Sequence, residues 1–258
     1  MARNSVQQRL ARPPQNRSLE RGIDILRAFR PGVDLIGNSE LSERTGIAPA
    51  TVSRLTQTLV RTGMLEYDAR ERAYRLAAPL LSFAHAMRSA SAVLKSAAPL
   101  MQRVAQTHKI NVGIATIDGD EMVYLESVRF NKKVSLRNVV AGQRVPIELT
   151  SLGRAYLASL PLTEQRALLQ RLHLRRHADW VSLERDILRS VRQVQKAGYC
   201  LASWQPNVVA LATPLRYQFH PVHVLNVSVN TQRDPAEIET ELSPVLLSLA
   251  AALLKAEE

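Results

Sequence analysis

The sequence predicts an α+β protein in which short helices and a hairpin come first and a mostly antiparallel sheet with flanking helices follows. Two observations predict this class. Residues 39–63 have the pattern of two short helices joined by a tight turn, and the spacing of apolar residues changes from helical to strand-like after about residue 108. A chain of 258 residues is long enough for two modest domains.

The segment 39–63 is predicted to form a helix-turn-helix. We expect Ser39 to cap the first helix, because its side-chain oxygen can accept from the free N–H groups of the first turn. Gly46 allows the positive φ that a tight turn requires. Pro49 suits the first turn of the second helix, and Gly63 suits its C-terminal end. This motif makes DNA binding the leading hypothesis.

The second helix carries polar side chains away from its apolar stripe. The first turns of a recognition helix reach base edges, and Arg and Gln can read guanine and adenine bidentately. An ordinary solvated helix after a glycine turn is the alternative, and the pattern alone does not separate the two. The side chains that we predict to read bases are Thr51, Ser53, Arg54 and Gln57.

A hairpin is predicted directly after this helix. Met64–Tyr67 and Ala73–Leu76 have strand character, and the charged segment 68–72 lies between them. A hairpin in this position is typical of a winged helix-turn-helix. Arg70 and Arg72 are predicted to contact phosphate or the minor groove, with a solvated turn as the alternative.

An amphipathic helix is predicted upstream, over Ser18–Phe29. Arg17 and Arg21 are predicted to contact backbone phosphates, which fix the register on DNA without reading sequence. Residues 1–16 are expected to be a flexible basic arm. Residues 1–90 hold 14 Arg, no Lys and 8 acids, so their net charge is +6 out of +11 for the chain. The higher charge density at this end favours binding to phosphate.

Several protein classes are disfavoured by composition. The single cysteine, Cys200, excludes an intramolecular disulfide framework. No apolar run reaches the roughly 18–20 residues of a membrane helix, and no signal peptide is evident, so we expect a cytoplasmic protein. Gly-rich phosphate loops, CxxC pairs and nucleophile elbows are missing. His173 and His177 are spaced for a metal on one helix, but no acid or cysteine completes that site nearby. We therefore expect no enzyme, no metal and no cofactor.

The remaining chain alternates helices and strands. A linker helix is predicted over 78–91 and a second helix over about 92–108, with further helices at about 151–159, 162–172 and 182–197. The last helix has Asp234 as N-cap, Pro235 at its first position and Glu237 closing a capping box. The predicted strands are Asn111–Ile117, Met122–Val128, Val134–Val140, Tyr199–Ser203, Val208–Pro214 and Val222–Val229.

Together these motifs resemble the IclR family of bacterial transcriptional regulators over roughly residues 17–255. The resemblance implies a winged helix-turn-helix at 17–77, a linker helix at 78–91 and a GAF-like effector-binding domain at 92–258. It also implies homodimers, often paired into tetramers, that bind double-stranded operator DNA. Control of output through RNA polymerase is a further possibility that the resemblance leaves open. The stretches that carry it are 17–26, 41–47, 50–55, 118–124, 142–146 and 196–199.

Two stretches, 150–154 and 225–230, resemble regulators of protocatechuate, 4-hydroxybenzoate and β-ketoadipate catabolism. This likeness implies an aromatic or dicarboxylic acid effector. Thr150, Ser151, Asn226 and Ser228 are expected to hydrogen-bond it, although Thr150 and Ser151 are as well explained as helix caps. Carried over by position, the implied pocket consists of Val134, Val145, Thr150, Ser151, Leu152, Ala202, Ala210, Asn226 and Ser228.

The chain departs from the family pattern around this pocket. Asn207, Val209 and Ala210 replace the Gly, Arg and Cys or Ser of many members, and Ala202 replaces an Asp. Glu148 stands where His or an aromatic residue is more common. These replacements remove polar contacts. A DNA-binding or architectural protein with a vestigial effector pocket is therefore the alternative function.

Overall fold

The computed structural model describes residues 16–130, 140–175, 179–218 and 220–256. These residues form two compact units, which divide between Ala84 and His85. Helices and an antiparallel sheet occur in the order that the sequence predicts, and the α+β class is confirmed.

The first unit is a three-helix bundle with a hairpin. Its core consists of buried apolar side chains from every element, among them the fully buried Ile25, Leu41, Val52 and Leu65. The elements are α1 (Arg17–Arg27), α2 (Asn38–Thr45), α3 (Pro49–Arg61), β1 (Leu65–Asp68) and β2 (Ala73–Leu76). This is the architecture of a winged helix-turn-helix.

The predicted cap at Ser39 is wrong. Helix α2 begins at Asn38, its N-cap is Gly37, and no side chain caps it. The entry to the helix is set by tertiary pairing, because Ile36 exchanges both of its backbone hydrogen bonds with Tyr74 of the hairpin. The helix therefore begins two residues earlier than a side-chain cap at Ser39 requires. Gly46 has the positive φ predicted for the turn, 68°.

Helix α4 (Pro79–Ala90) follows the hairpin and contains the division between the two units. None of its residues is buried. The side chains of Leu81, Phe83 and Met87 are 75%, 60% and 49% exposed. Helix α5 (Ala92–His108) begins after Ser91, whose hydroxyl caps it by accepting from the backbone N–H of Leu94.

The second unit is built on one antiparallel sheet. Among the described residues it has six strands in the order β5-β4-β3-β8-β7-β6. The strands are β3 (Asn111–Asp118), β4 (Glu121–Val128), β5 (Arg144–Pro146), β6 (Cys200–Leu201), β7 (Val208–Leu215) and β8 (His223–Asn230). The helices that complete the unit are α6 (Ser151–Ser159), α7 (Leu162–Arg175), α8 (Trp180–Ala197) and α9 (Pro235–Lys255).

The two faces of the sheet have separate apolar clusters. Val112, Ile114 and Leu225 pack with helices α5 and α9. Ala115 and Val224, one residue away on the same strands, belong to the cluster that includes helices α6, α7 and α8. Because side chains alternate between faces along a strand, Gly113, Asn226 and Ser228 lie on the α6 side.

Three sequence-based expectations in this unit need correction. The strand expected over Tyr199–Ser203 has only two residues, and the edge strand β5 was not predicted. The capping box with Glu237 does not form, because that carboxylate accepts from Arg233 while Asp234 alone caps α9. Most of the expected strand Val134–Val140 lies outside the described residues. No helix in the described ranges is long and apolar enough to cross a membrane.

Candidate nucleic-acid and effector sites

Helix α3 presents one polar face to solvent. Val52 and Thr56 are buried on its inner side. Arg54, Gln57 and Arg61 are exposed, and the spacing of three and seven residues from Arg54 puts all three on the opposite side. The sequence analysis missed Arg61, which the same periodicity extended by one turn would have found. Thr51 and Ser53, predicted with Arg54 and Gln57, lie at the two flanks of this face and are half-buried.

The turn before α3 is held by short side chains. Ser42 Oγ donates to the carbonyl oxygen of Ile47 at 2.7 Å, and Thr45 Oγ1 donates to that of Leu41. Arg44 donates to the carbonyl oxygen of Ala28 at 3.0 Å and pairs with Glu40. These bonds fix α2 against the end of α1 and so orient the recognition helix.

The hairpin tip carries two exposed cations. Arg70 and Arg72 are exposed, and Arg72 has a φ of 52°. Asp68 organises this tip, since its carboxylate accepts from the backbone N–H groups of Arg70 and Glu71 and pairs with Arg75. The hydrogen bond from Glu71 is the main cause that lowers the pKa of Asp68. The tip is thus pre-organised.

The two predicted phosphate contacts of helix α1 lie near its start. Arg17 is exposed and Arg21 is half-buried. The preceding residue, Asn16, caps the helix by accepting from the N–H of Leu19. Positive side chains at this end, on α3 and on the hairpin all belong to the first unit.

The second unit contains a cavity of about 110 Å³ on the α6 side of the sheet. Among the nine residues predicted for an effector pocket, Asn226 and Ser228 line it. Polar and cationic side chains that were not predicted line it as well: Tyr124, Ser127, Arg129 and Gln205. Side chains alternate between the two faces of β4, and the pairing of β4 with β3 decides which of them face the cavity. That pairing places Tyr124 and Ser127 in the cavity wall, and sequence alone does not supply it.

Asn226 and Tyr124 meet over Gly113 on this wall. A Cβ atom at Gly113 would lie 2.5 Å from both Asn226 Oδ1 and Tyr124 Cε1, so only glycine fits. The Asn226 side chain hydrogen-bonds the phenol, and burial raises the pKa of Tyr124 well above 10.0, so the hydroxyl stays protonated. Asn226 Oδ1 is buried and has no hydrogen-bond partner in the described part of the chain.

The other predicted pocket residues that the structure describes are not among the lining residues of this cavity. Thr150 is the N-cap of α6, because its hydroxyl accepts from Gly153 N–H and donates to the carbonyl oxygen of Pro146. Val145 and Leu152 belong to the apolar cluster beneath α6. Ala210 pairs with Ser228 across the sheet, and Ala202 donates its N–H to Ala210. Ser151 Oγ is buried without a partner among the described atoms. Val134 lies outside the described residues.

Helix α4 is tied to the strand that lines the cavity. Arg88 donates to the carbonyl oxygen of Leu125 and pairs with Glu126. Leu125 is the extra residue of a β-bulge, because Ile114 pairs with Glu126 while Ala115 pairs with Tyr124. The linker helix therefore contacts β4 between two cavity residues, Tyr124 and Ser127.

Cys200 is buried beside α6, and His173 packs against an aromatic ring. The Cys200 thiol is fully buried, donates to the carbonyl oxygen of Ser151 at 3.5 Å, and has a pKa raised by burial to about 12. It stays protonated and cannot act as a nucleophile near neutral pH. His173 stacks on Trp180 with 5.1 Å between ring centroids. His177 lies outside the described residues.

Comparison with known proteins matches both units to one family. Residues 18–69 match the IclR helix-turn-helix domain, and residues 85–254 match the C-terminal domain of the bacterial transcriptional regulator IclR. The Pca regulon regulatory protein of Pseudomonas putida is 27% identical over 241 residues, which are 92% of this chain and 82% of that protein.

Two further similarities cover nearly the whole chain. The p-hydroxybenzoate hydroxylase transcriptional activator of Acinetobacter baylyi is 26% identical over 91% of this chain and 89% of its own. The crystal structure of an IclR family transcriptional regulator from Brucella abortus is 32% identical, covers 98% of this chain and 96% of its own, and has a TM-score of 0.86. The chain therefore belongs to the IclR family of bacterial transcriptional regulators, which bind DNA through the helix-turn-helix and small-molecule effectors through the C-terminal domain.

Proposed function

We propose that this regulator binds an aromatic or dicarboxylic acid in the cavity between the starts of β3 and β7, and that this effector changes its action on an operator. The observation that carries the proposal is Asn226 Oδ1, a buried acceptor in the cavity wall that lacks a donor among the described residues. Buried polar atoms in folded proteins nearly always have partners, so this exception in a cavity wall supports a bound group there.

The charge of the cavity supports an anionic effector. Arg129 contributes a guanidinium, and neither Asp nor Glu is among the described lining residues. Arg is the side chain best suited to a carboxylate, because its planar fork can donate two hydrogen bonds to it. The similar activator from Acinetobacter regulates p-hydroxybenzoate hydroxylase, as its name states, which supports an aromatic acid here.

On the DNA side, we infer that Thr51, Ser53, Arg54 and Gln57 read bases in the major groove, with Arg61 on the same face. Arg17, Arg21, Arg70 and Arg72 neutralise phosphates. Support comes from the exposed outer face of α3 and from the cationic tip of a hairpin held in shape by Asp68. Phosphate contacts position the protein, and base contacts carry the specificity.

We infer that the effector signal passes through α4. The pair between Arg88 and Glu126 and the bond to Leu125 join this helix to β4 next to Ser127 in the cavity wall. A shift of β4 on ligand binding displaces α4, which leads into the first unit. The spacing of paired recognition helices on the two half-sites of the operator then changes.

The assembly we propose is a homodimer that pairs further into a tetramer and acts in the cytoplasm. The exposed apolar side chains of α4 support the dimer. No residue of this helix is buried within the chain, and an exposed apolar patch of this kind is typical of a protein–protein interface. Contact with RNA polymerase is a second route for control, since an effector can change output at constant operator affinity.

A thermal-shift screen of the full chain against aromatic acids, dicarboxylates and short keto acids tests the effector proposal. A ligand at about 100 times its dissociation constant stabilises by about 2.7 kcal/mol, which is a readable shift. A compound that shifts the wild type and changes binding to operator DNA supports the proposal. If no compound in the panel raises the melting temperature, the effector proposal is contradicted and the vestigial-pocket alternative is favoured.

A further inference from the structure

The first unit contains a groove between α1 and α3 that its own described residues leave open. The groove encloses about 690 Å³, whereas the cavity in the second unit encloses about 110 Å³. Sites for small molecules are typically clefts of roughly 300–1,000 Å³ that are mostly apolar and carry a few polar groups. The groove in the DNA-binding unit therefore has the size of a ligand site.

The floor of the groove is apolar. Leu26, Leu55 and Leu59 are half-buried there and also pack against the core of the unit, so their positions are fixed. Leu19 and Ile23 of α1 also line the groove and are 63% and 43% exposed. A contiguous apolar surface of this kind is typical of a binding groove or an interface.

Gly22 leaves the α1 side of the groove without a side chain. It lies in the interior of the helix, where glycine is destabilising relative to alanine. A Cβ atom at this position would have no other atom within 4 Å, so packing inside the unit does not require the glycine. The space beside the helix backbone is available to a bound group.

The charge of the groove is positive. Arg21 and Arg54 line it together with hydroxyl groups, and none of the described lining residues is Asp or Glu. A guanidinium can donate two parallel hydrogen bonds to a carboxylate. An apolar floor beside two arginines therefore complements an aliphatic chain that ends in a carboxylate, and it does not complement a cation.

We propose that this groove binds a medium-chain fatty acid anion, whose chain lies along Leu19, Gly22 and Ile23 while its carboxylate pairs with Arg54. The apolar stripe from Leu19 to Leu26 is about 10 Å long at the helical rise, which favours a chain of medium length. The bound acid covers Thr51 and Arg54, so it and operator DNA exclude each other. This exclusion rests on the proposed DNA-reading role of α3, whereas the binding of the acid does not.

Calorimetric titration of the full chain with decanoate, below the concentration at which it forms micelles, tests the site. Decanol has the same chain without the charge, and acetate has the charge without the chain. Both are expected to bind at least tenfold more weakly than decanoate. Gly22→Leu fills the groove where the structure leaves room, and leucine favours the helix, so this variant is expected to fold. It is expected to bind decanoate at least tenfold more weakly than the wild type.

Leu19→Glu and Leu162→Glu form a matched pair of variants. Both place a carboxylate near the start of a helix, at apolar positions that are 63% and 64% exposed, but Leu162 lies on α7 in the second unit. Leu19→Glu is expected to weaken decanoate binding at least tenfold, because like charges repel. Leu162→Glu is expected to keep the affinity within twofold. Circular dichroism and the melting temperature show whether each variant is folded.

Fluorescence anisotropy with operator DNA tests the exclusion. At ten times its own dissociation constant, decanoate is expected to raise the apparent dissociation constant of the operator about tenfold, as mass action requires for two ligands that compete. In Gly22→Leu, the same concentration of decanoate is expected to leave the operator affinity of that variant unchanged.

Four results would overturn the inference. A wild type that does not bind decanoate lacks the site, and equal binding by Gly22→Leu places the acid elsewhere. Loss of the dimer in Gly22→Leu, measured by sedimentation velocity, would show that a second copy of the chain covers the groove. Decanoate that binds without weakening operator binding overturns the exclusion and, with it, the placement of Arg54 at the DNA. None of these variants lies at the cavity of the second unit, so the effector proposal is tested separately by its own screen.

Discussion

At the scale of single residues, the outer face of α3 and the hairpin tip carry cations for which we propose different tasks. Arg54 is exposed at the centre of the recognition face, and Arg70 lies at the hairpin tip. A side chain that donates to a guanine edge discriminates between sequences, whereas one that contacts phosphate does not. The two arginines therefore form a matched pair for mutation.

Arg54→Ala is expected to weaken operator binding by about 1–3 kcal/mol and to relax sequence preference. Arg70→Ala is expected to weaken binding to operator and unrelated DNA alike and to lower the salt dependence. Fluorescence anisotropy with both DNAs at several salt concentrations measures this. A uniform loss for Arg54→Ala would make it a phosphate contact, and no loss would remove it from the interface.

The carboxyl of Asp68 gives the hairpin tip a pH dependence. Hydrogen bonds from the backbone of Glu71 and Arg70, together with Arg75, lower its pKa below the ordinary 3.8. Its contribution to stability is therefore fully present above about pH 3.8 and is lost as the pH falls through the lower folded value. The difference in unfolding free energy between wild type and Asp68→Ala should shrink on acidification. Denaturant titrations between pH 6 and 2.5 measure it, and a constant difference would show that the carboxylate is not the stabilising form.

At the scale of elements, helix α6 packs unusually close to the chain before it. A Cβ atom at Gly153 would lie 2.2 Å from both Cα and the carbonyl oxygen of Ile147. These are backbone atoms, so relief requires the helix to move. Thr150 caps the same helix, which therefore has little freedom to shift at its N-terminus.

Gly153→Ala is expected to destabilise the second unit by about 3 kcal/mol, at the upper end of overpacking effects. Gly22→Ala is the control, since nothing lies within 4 Å of the added atom in α1. That variant should gain about 0.5–1 kcal/mol from helix propensity. Chemical denaturation of both variants gives the two free energies. Equal stability of Gly153→Ala and wild type would show that α6 can move away from Ile147.

At the scale of the whole molecule, α4 combines two features that bear on assembly. Its apolar side chains are exposed, and it leads from the first unit into the second. Phe83 is 60% exposed and lies between Leu81 and Met87 in the chain. Burial of such a surface against a second copy would recover hydrophobic free energy at roughly 25 cal/mol per Å².

Phe83→Glu is expected to raise the dimer dissociation constant at least tenfold, because a buried charge at the contact is costly. Val181→Glu is the control, as it introduces the same charge at an apolar position on α8 that is also well exposed. Sedimentation velocity over a range of concentrations reports the assembly. An unchanged dimer in Phe83→Glu would place the interface elsewhere.

Local sequence determined the elements and the exposed polar face of α3. Helices α5 and α6 lie at the predicted 92–108 and 151–159, because caps and apolar stripes act within a few residues of each other. One helical period is enough to put Arg54 and Gln57 on the same side of α3. Ser39 failed as a cap for the opposite reason, since a backbone pair between Ile36 and the distant Tyr74 decides where α2 begins.

The residues that surround the cavity could be identified only from the tertiary structure. The family resemblance predicted Asn226 and Ser228 as pocket residues, and they line the cavity. It also predicted Val145 and Leu152, which pack in the core. Gly113 and Tyr124 were not predicted as pocket residues, because only the pairing of β3 with both β4 and β8 brings them next to Asn226. Strand register joins residues that are far apart in the chain, and no local propensity encodes that partnership. The sequence by itself therefore determined the family, the elements and the exposed polar face of α3, while packing and register alone decided which polar groups surround the cavity of the second unit.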